Sequence, residues 1–304
     1  MIETLPPDLI RLIGKFLSIS EFIRLASCNR YLRRTLELRP RVKGRQAITP
    51  WLHDMAWSYI PAAEVLLADV IRFTRLEMLS LPYNRWTSED LRCLSSSTMA
   101  ATLRDLSMCR FSLLTELQLI EIKELHQLQR LDIRTVRTHD PTSGISFGHF
   151  QHLRELRLCD TMIDAKATIF SGAYSLQSLS VVATKGGLTN PIDCGGLVNG
   201  CTSLHTLSLA STKITNESAL GSLRLLTSLD VEGIASIKPF IGCYTTLTSL
   251  RDLNISAIWD VDERTLYRFT SLDTLSLQNC ATRSLRFALP GCFINGAMDH
   301  LDFY

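Results

Sequence analysis

From Leu76 onward the apolar positions follow one short phrase, L-x-x-L-x-L, that returns at a near-constant interval. It reads "LEMLSL" at Leu76, "LRDLSM" at Leu103, "LQRLDI" at Leu128, "LRELRL" at Leu153 and "LQSLSV" at Leu176. It continues as "LHTLSL" at Leu204, "LTSLDV" at Leu226, "LRDLNI" at Leu250, "LDTLSL" at Leu272 and "MDHLDF" at Met298. Successive phrases start 22 to 28 residues apart. The second and third apolar positions lie two residues apart, the period of a strand with one buried face. Each phrase therefore predicts a short strand, and each interval predicts a helical or irregular return on the other side. One more match, "LTELQL" at Leu114, comes only 11 residues after Leu103, too soon for another turn. The spacing of Leu117, Ile122 and Leu125 around it predicts a helix on the returning side instead.

A unit this short cannot bury its own apolar face, so neighbours must stack into a continuous core. Phrase and period resemble leucine-rich repeats. The fold class expected is α/β, a leucine-rich-repeat solenoid over residues 75–304 with a curved parallel sheet on its concave face, preceded by a small all-α head. In that family an Asn at the ninth position of the phrase bonds the turning backbone, but here only Asn84 conforms. The others are Phe111, Val136, Thr161, Thr184, Thr212, Ile234, Ile258 and Cys280, which predicts irregular curvature, with the threonines still able to bond backbone.

A solenoid also needs its ends covered. Residues 46–74 include "WLHDMAWSYIPAAEVLLADVIRF", in which Trp51, Trp57, Val65, Leu66 and Ile71 are available to seal the first repeat. At the other end the phrase at Met298 places a strand next to Tyr304, an edge that expects a partner or further chain.

Residues 1–45 carry a different pattern. Pro7 suits the first turn of a helix, with Leu9, Ile10, Ile13 and Leu17 forming one apolar stripe. Ser18 and Glu21 have capping-box spacing for a second helix bearing Phe22, Ile23 and Leu25. Asn29 is placed to cap a third, "RYLRRTLEL". Three helices this short make a small core, so the unit expects to borrow one from elsewhere.

The order Leu5-Pro6, Asp8-Leu9-Ile10, Ile13, Leu17, Phe22, Leu25, Cys28 and Tyr31 resembles the F-box, with Tyr31 where that family usually has Trp. The resemblance covers residues 4–38. It implies docking of the head on the Skp-type adaptor of a cullin-RING ubiquitin ligase, with Leu5, Pro6, Leu9, Ile10 and Ile13 as adaptor contacts, while the repeats hold a protein substrate. The alternative use of the same leucines is internal, as an N-terminal helical cap.

Composition narrows the setting. The apolar runs fall short of the ~20 residues a membrane span needs, and the N-terminus lacks the apolar core of a secretory signal. Nine cysteines without a CxxC pair argue against a disulfide framework or a zinc ribbon and for reduced thiols, hence a cytoplasmic or nuclear protein. The formal net charge of +2 hides an asymmetry: residues 1–46 hold ten Lys or Arg against four Asp or Glu, leaving 22 against 26 for the rest. "RRTLELRPRVKGR", Arg33 to Arg45, is basic enough to contact nucleic acid, yet has no aromatic residues for stacking and reads first as a solvated linker.

The x positions of the phrases predict the concave surface. Its first part is rich in arginine, with Arg104, Arg110, Arg130, Arg134, Arg154 and Arg157 interrupted by Asp105, Asp132, Glu155 and Asp160. The middle is small, and the far end is acidic, with Asp230, Glu232, Asp252, Asp273, Asp299 and Asp302. Arg104, Arg130, Arg134, Arg154 and Arg157 are the candidate ligand-binding set, for an acidic or phosphorylated segment gripped bidentately. The competing expectation is that arginines and carboxylates on neighbouring rungs satisfy one another.

Motifs for catalysis are lacking: no nucleophile elbow, Walker loop or HExxH appears, and no metal or cofactor is expected. "GGLTNPIDCGG", Gly186 to Gly196, lacks the GK[ST] ending of a phosphate loop and reads as a loop insertion. His149 and His152 have no third ligand nearby, and Cys109 and Cys159 no activating base. Two readings remain: a non-catalytic substrate receptor of a ubiquitin ligase, or a structural scaffold in a large ribonucleoprotein or ciliary assembly.

Overall fold

The computed structural model describes residues 77–81, 88–109, 122–134, 146–159, 167–183, 191–234, 246–258, 266, 269–280 and 292–295. The strands in chain order are β1 (Met78–Leu81), β2 (Asp105–Cys109), β3 (Arg130–Arg134), β4 (Glu155–Cys159), β5 (Ser178–Val182) and β6 (Ile192–Asp193). Then come β7 (Thr206–Ser208), β8 (Ile214–Thr215), β9 (Ser228–Asp230), β10 (Asp252–Asn254), β11 (Thr274–Ser276) and β12 (Phe293–Asn295). Among the described residues, the helices α1 (Ser88–Ser96) and α2 (Cys194–Gly200) and several 3-10 turns lie between them. The ten longer strands form one parallel sheet in the order β1-β2-β3-β4-β5-β7-β9-β10-β11-β12, and β6 pairs with β8 separately. This is the leucine-rich-repeat solenoid read from the phrases, each of the first nine starting its strand two residues after its opening leucine.

Register follows from the pleat. In β3 the pattern alternates, with Leu131 and Ile133 buried and Arg130 and Arg134 exposed. The fourth residue of each phrase pairs with its counterpart next door, so Leu79, Leu106, Leu131, Leu156 and Leu179 align. Leu207, Leu229, Leu253 and Leu275 continue the column. A one-residue slip would turn every one of these side chains into water.

The return segments supply a second buried column, six and three residues before the opening leucine. It contains Ile122 and Leu125, Phe147 and Phe150, Phe170 and Ala173, Val198 and Cys201, Leu220 and Leu223, and Leu266 and Phe269. Phe147 and Phe170 stack across neighbouring repeats with ring centroids 6.0 Å apart. Each fully buried Leu or Phe contributes about 1.5–3 kcal/mol, so the strength of the fold lies in this shared interior. The returns come close together. A Cβ on Gly200 would lie 1.9 Å from the Phe170 carbonyl oxygen, so only glycine fits there.

Backbone hydrogen bonds tie rung to rung just before the strands. The carbonyl of Arg104 accepts from Gln129 N at 2.7 Å and Arg130 N at 2.9 Å, and the carbonyls of Gln129, Arg154, Gln177, His205, Thr227 and Arg251 repeat the arrangement. After β7, β9, β10 and β11 the chain turns through a residue at positive φ: Ser211 at 55°, Gly233 at 68°, Ala257 at 59° and Asn279 at 58°. The next residue is the ninth of the phrase, where the family has Asn. Here Thr212 donates its hydroxyl to the Leu209 carbonyl at 2.6 Å, the Cys280 thiol reaches the Ile255 carbonyl at 3.1 Å, and Ile234 and Ile258 are buried. The turns are held mainly by backbone, for example Thr212 N to Leu209 O at 3.2 Å and Gly233 N to Ser256 O at 2.9 Å, so no Asn is required.

The tenth strand of the sheet is Phe293–Asn295, paired with β11 through Leu275 and Ile294, and the strand expected from the phrase at Met298 lies outside the described residues. "FIN" offers one inward apolar side chain, Ile294, which packs on the core. The stretch Gly186 to Gly196 is not wholly a loop, since its second half forms β6 and the start of α2. Asp193 accepts bonds from Gly195 N at 3.1 Å and Gly196 N at 3.3 Å, so an N-cap converts this glycine-rich run into a helix. Of the helix expected around Leu117, Ile122 and Leu125 are buried on the returning side, and Leu117 lies outside the described residues, as do the head and the cap up to Phe73.

Candidate functional site

The exposed face of the sheet carries the first, third and fifth residues of each strand. On β2, β3 and β4 these form an ion ladder. Arg130 directs Nε to Asp105 Oδ1 at 3.2 Å and Nη2 to Oδ2 at 3.3 Å, while its Nη1 lies 3.6 Å from Glu155 Oε2 on the other side. Arg157 Nη2 meets the second oxygen of the same Glu155 at 2.8 Å, and Arg134 Nη2 meets Asp132 Oδ2 at 2.7 Å. The parallel register sets residues 105, 130 and 155 side by side, which is why one guanidinium spans two carboxylates.

The five candidate arginines therefore divide. Arg130, Arg134 and Arg157 stand in the face and are paired with carboxylates there. Arg104 and Arg154 sit one residue before β2 and β4, exposed on the adjoining rim. Neither makes an ion pair among the described residues. Arg110 and the adaptor set Leu5, Pro6, Leu9, Ile10 and Ile13 lie outside those residues.

Further along, the acidic half is satisfied by hydrogen bonds between rungs. Ser208 Oγ donates to Asp230 Oδ2 at 2.9 Å, Asn254 Nδ2 to Glu232 Oε2 at 3.2 Å, and Thr274 Oγ1 to Asp252 Oδ1. Asp230 also accepts Glu232 N at 3.1 Å, and Asn254 Oδ1 accepts Ser256 N at 3.1 Å. Sequence reasoning counted the acids and overlooked their partners. The signal was available for two of the three: Ser208 and Thr274 occupy the same phrase positions as Asp230 and Asp252, one repeat away, whereas Asn254 stands two positions before that of Glu232. Asp273 belongs to the rim, 3.8 Å from Arg251 Nη1, and Asp299 and Asp302 lie outside the described residues.

The thiols are poorly placed for nucleophilic work. Burial pushes Cys201 up to about 12, and burial also raises Cys280 and, joined by the nearby Asp273 charge, Cys292. All three stay protonated at neutral pH. Cys159 is on the exposed face, half-buried, in register with Arg134. His149 and His152 are exposed, and among the described residues no three His, Cys, Asp or Glu side chains gather as a metal-binding group. No helix among those residues is long and apolar enough to cross a membrane.

No protein-family model and no curated protein matches the chain. Solved structures do. An internalin (inlF) from Listeria monocytogenes superposes with a TM-score of 0.56 at 18% identity, covering 80% of this chain and 66% of that one. The crystal structure of a TLR13–ssRNA13 complex superposes with a TM-score of 0.51 at 17% identity, covering 77% of this chain and 38% of that one. The chain thus spans two thirds or less of the length of these neighbours. At such identities the likeness is one of fold, and it agrees with the single parallel sheet described above: the chain is a leucine-rich-repeat solenoid.

Proposed function

We propose that this chain is a non-catalytic protein-interaction module, the substrate receptor of a Skp-cullin-F-box ubiquitin ligase. The head engages the Skp-type adaptor through Leu5, Pro6, Leu9, Ile10 and Ile13, and the exposed face of the solenoid holds a protein. The observation that carries the interaction reading is the uninterrupted ten-stranded face, polar throughout β2 to β4 and lined with groups that already point away from the core. Such a surface offers contacts over many rungs and no reacting group. The adaptor assignment is supported by the order of residues 4–38 and by their coupling in one chain to leucine-rich repeats. The ladder of Arg130, Arg134 and Arg157 is where an acidic or phosphorylated substrate segment exchanges with Asp105, Asp132 and Glu155 for the guanidinium groups.

The test is affinity purification of the full chain. Recovery of a Skp-type adaptor with cullin, lost on Leu5→Ala with Pro6→Ala, supports the receptor. Stable recovery of RNA or axonemal proteins without either supports instead a structural scaffold in a ribonucleoprotein or ciliary assembly. For the face, Arg130→Glu with Arg157→Glu is expected to abolish substrate capture without unfolding, and unchanged capture removes the ladder from the site.

A further inference from the structure

The rim beside the exposed face has a different electrostatic character. It is built from the two residues before each opening leucine and the one after it. These positions are neighbours in space: His205 Nδ1 donates to the Ser203 carbonyl at 2.8 Å, and Arg251 Nη1 donates to the Ser271 carbonyl at 3.2 Å. The backbone ladder through the carbonyls of Arg154, Gln177 and His205 ties this edge together from rung to rung.

From Gln151 to Thr227 these positions hold no aspartate or glutamate. They hold Arg154 and Arg224, both exposed, and neither has an ion-pair partner among the described residues. His152, in the same repeat as Arg154, and His205, in a repeat between the two arginines, are also exposed. Tyr174 and Leu225, exposed by 60% and 50%, lie on the same stretch, and they are two of the three large apolar side chains exposed among the described residues, Phe293 being the third. The face next to it neutralises its charges internally; this rim does not. Unmatched arginines beside an exposed tyrosine and leucine are the composition of an interface centre.

We propose that this rim is a docking site for an extended acidic segment of a partner protein, separate from the exposed face and independent of the head. Charge complementarity requires carboxylates on the partner. Leu225 offers no ring for a nucleobase to stack on, and Tyr174 is alone, so the surface suits a polypeptide better than a single-stranded nucleic acid. Arg154 and Arg224 flank strands β4 and β9, three sheet spacings apart in the order β4-β5-β7-β9, which is roughly 14 Å at 4.7–4.9 Å per strand. An extended chain covers that in about four residues. The matching segment therefore carries two acidic residues four positions apart, with apolar side chains between them for Tyr174 and Leu225.

The probe is a fluorescein-labelled synthetic peptide with two glutamates four positions apart and valine and leucine between, titrated against the full chain by anisotropy at low salt. Binding is expected, weakened at least tenfold by Arg154→Glu with Arg224→Glu and by Tyr174→Ser with Leu225→Ser, and unchanged by the charge reversal Lys123→Glu at an exposed position of a returning segment. Circular dichroism confirms that each variant is folded, and Arg154→Gln with Arg224→Gln serves if charge reversal perturbs the fold. Absence of binding, equal binding by the rim variants, a loss of the same size in the Lys123→Glu control, or tighter binding of a single-stranded oligoribonucleotide each overturns the proposal. Adaptor capture reads the head alone, so its failure leaves this result standing, and the reverse also holds.

Discussion

Arg130 on the third rung and Asp105 on the second form a two-point contact, Nε to Oδ1 at 3.2 Å and Nη2 to Oδ2 at 3.3 Å, while the same guanidinium lies 3.6 Å from Glu155 on the fourth. The pairing is a consequence of register, and it makes Arg130 the centre of the ladder. About half of its side chain is exposed, so the attraction is screened and Arg130→Ala is expected to cost less than about 1 kcal/mol. Arg130→Glu is different in kind, because it lines up three carboxylates at 105, 130 and 155 across adjacent rungs. Its cost should exceed that of the alanine variant and shrink in high salt. Urea titrations of both variants at low and high salt measure this; equal costs at both ionic strengths would show that the ladder is electrostatically idle.

The left-handed turns give a test with opposite signs at equivalent positions. Ala257 at φ 59° and Gly233 at φ 68° close the same turn in neighbouring repeats. A β-carbon in that region costs roughly 1 kcal/mol. Ala257→Gly is expected to stabilise by somewhat less than that, since glycine also loosens the unfolded chain. Gly233→Ala is expected to destabilise by about 1–2 kcal/mol, because its new Cβ also meets Ser211 Oγ at 3.1 Å. Thermal melts of the two variants should move in opposite directions.

Gly200 is constrained by its neighbour and not by its own dihedral angles. The atom a Cβ would strike, 1.9 Å away, is the backbone oxygen of Phe170 in the preceding repeat, which cannot rotate aside. Gly200→Ala must therefore push two return segments apart and is expected to cost 3 kcal/mol or more, about the cost of a severe core change. Gly195→Ala, whose nearest contact is the Asp193 side chain at 3.3 Å, is the control and should be far milder. Chemical denaturation of the pair gives the comparison.

The fold was legible because its core is periodic. Apolar residues at the fourth and sixth positions of each phrase must face inward together, and the spacing of 22 to 28 residues leaves room for one return per strand. The strand Phe293–Asn295 escaped because "FIN" carries the pattern in a single inward residue, Ile294. α2 escaped because glycine-rich sequence reads as loop until its cap is seen, and the second partner of Asp193 lies 23 residues away at Asn216. On the exposed face the alternation of Arg with Asp or Glu was visible, but pairing depends on which residues share a rung, which is a property of register. Arg104 and Arg154 are the second residues of their phrases and Arg130 the third, so the first two fall before the strand and escape the ladder.

Asp193 links a local cap to the neighbouring repeat and gives the chain a pH signature. Its carboxylate accepts Asn216 Nδ2 at 2.7 Å and the amides of Gly195 and Gly196, and Asn216 itself adopts a left-handed conformation at φ 53°. The Asn216 bond is the largest cause holding the Asp193 pKa below its ordinary value of 3.8, opposed by partial burial and assisted by the two amides. A carboxyl depressed in the folded state binds its proton more readily when unfolded. The stability it contributes is therefore present above the unfolded pKa and lost as the pH falls through the folded one. Asp193→Ala is expected to cost about 1 kcal/mol at pH 7, the usual worth of an N-cap. Asn216→Ala should reproduce part of that loss and move the Asp193 titration upward toward its ordinary position. Urea unfolding of the wild type and both variants from pH 7 down to the acid limit measures the effect: the gap between wild type and Asp193→Ala should narrow as the carboxyl protonates, and a gap constant across that range would show that the cap works without its charge.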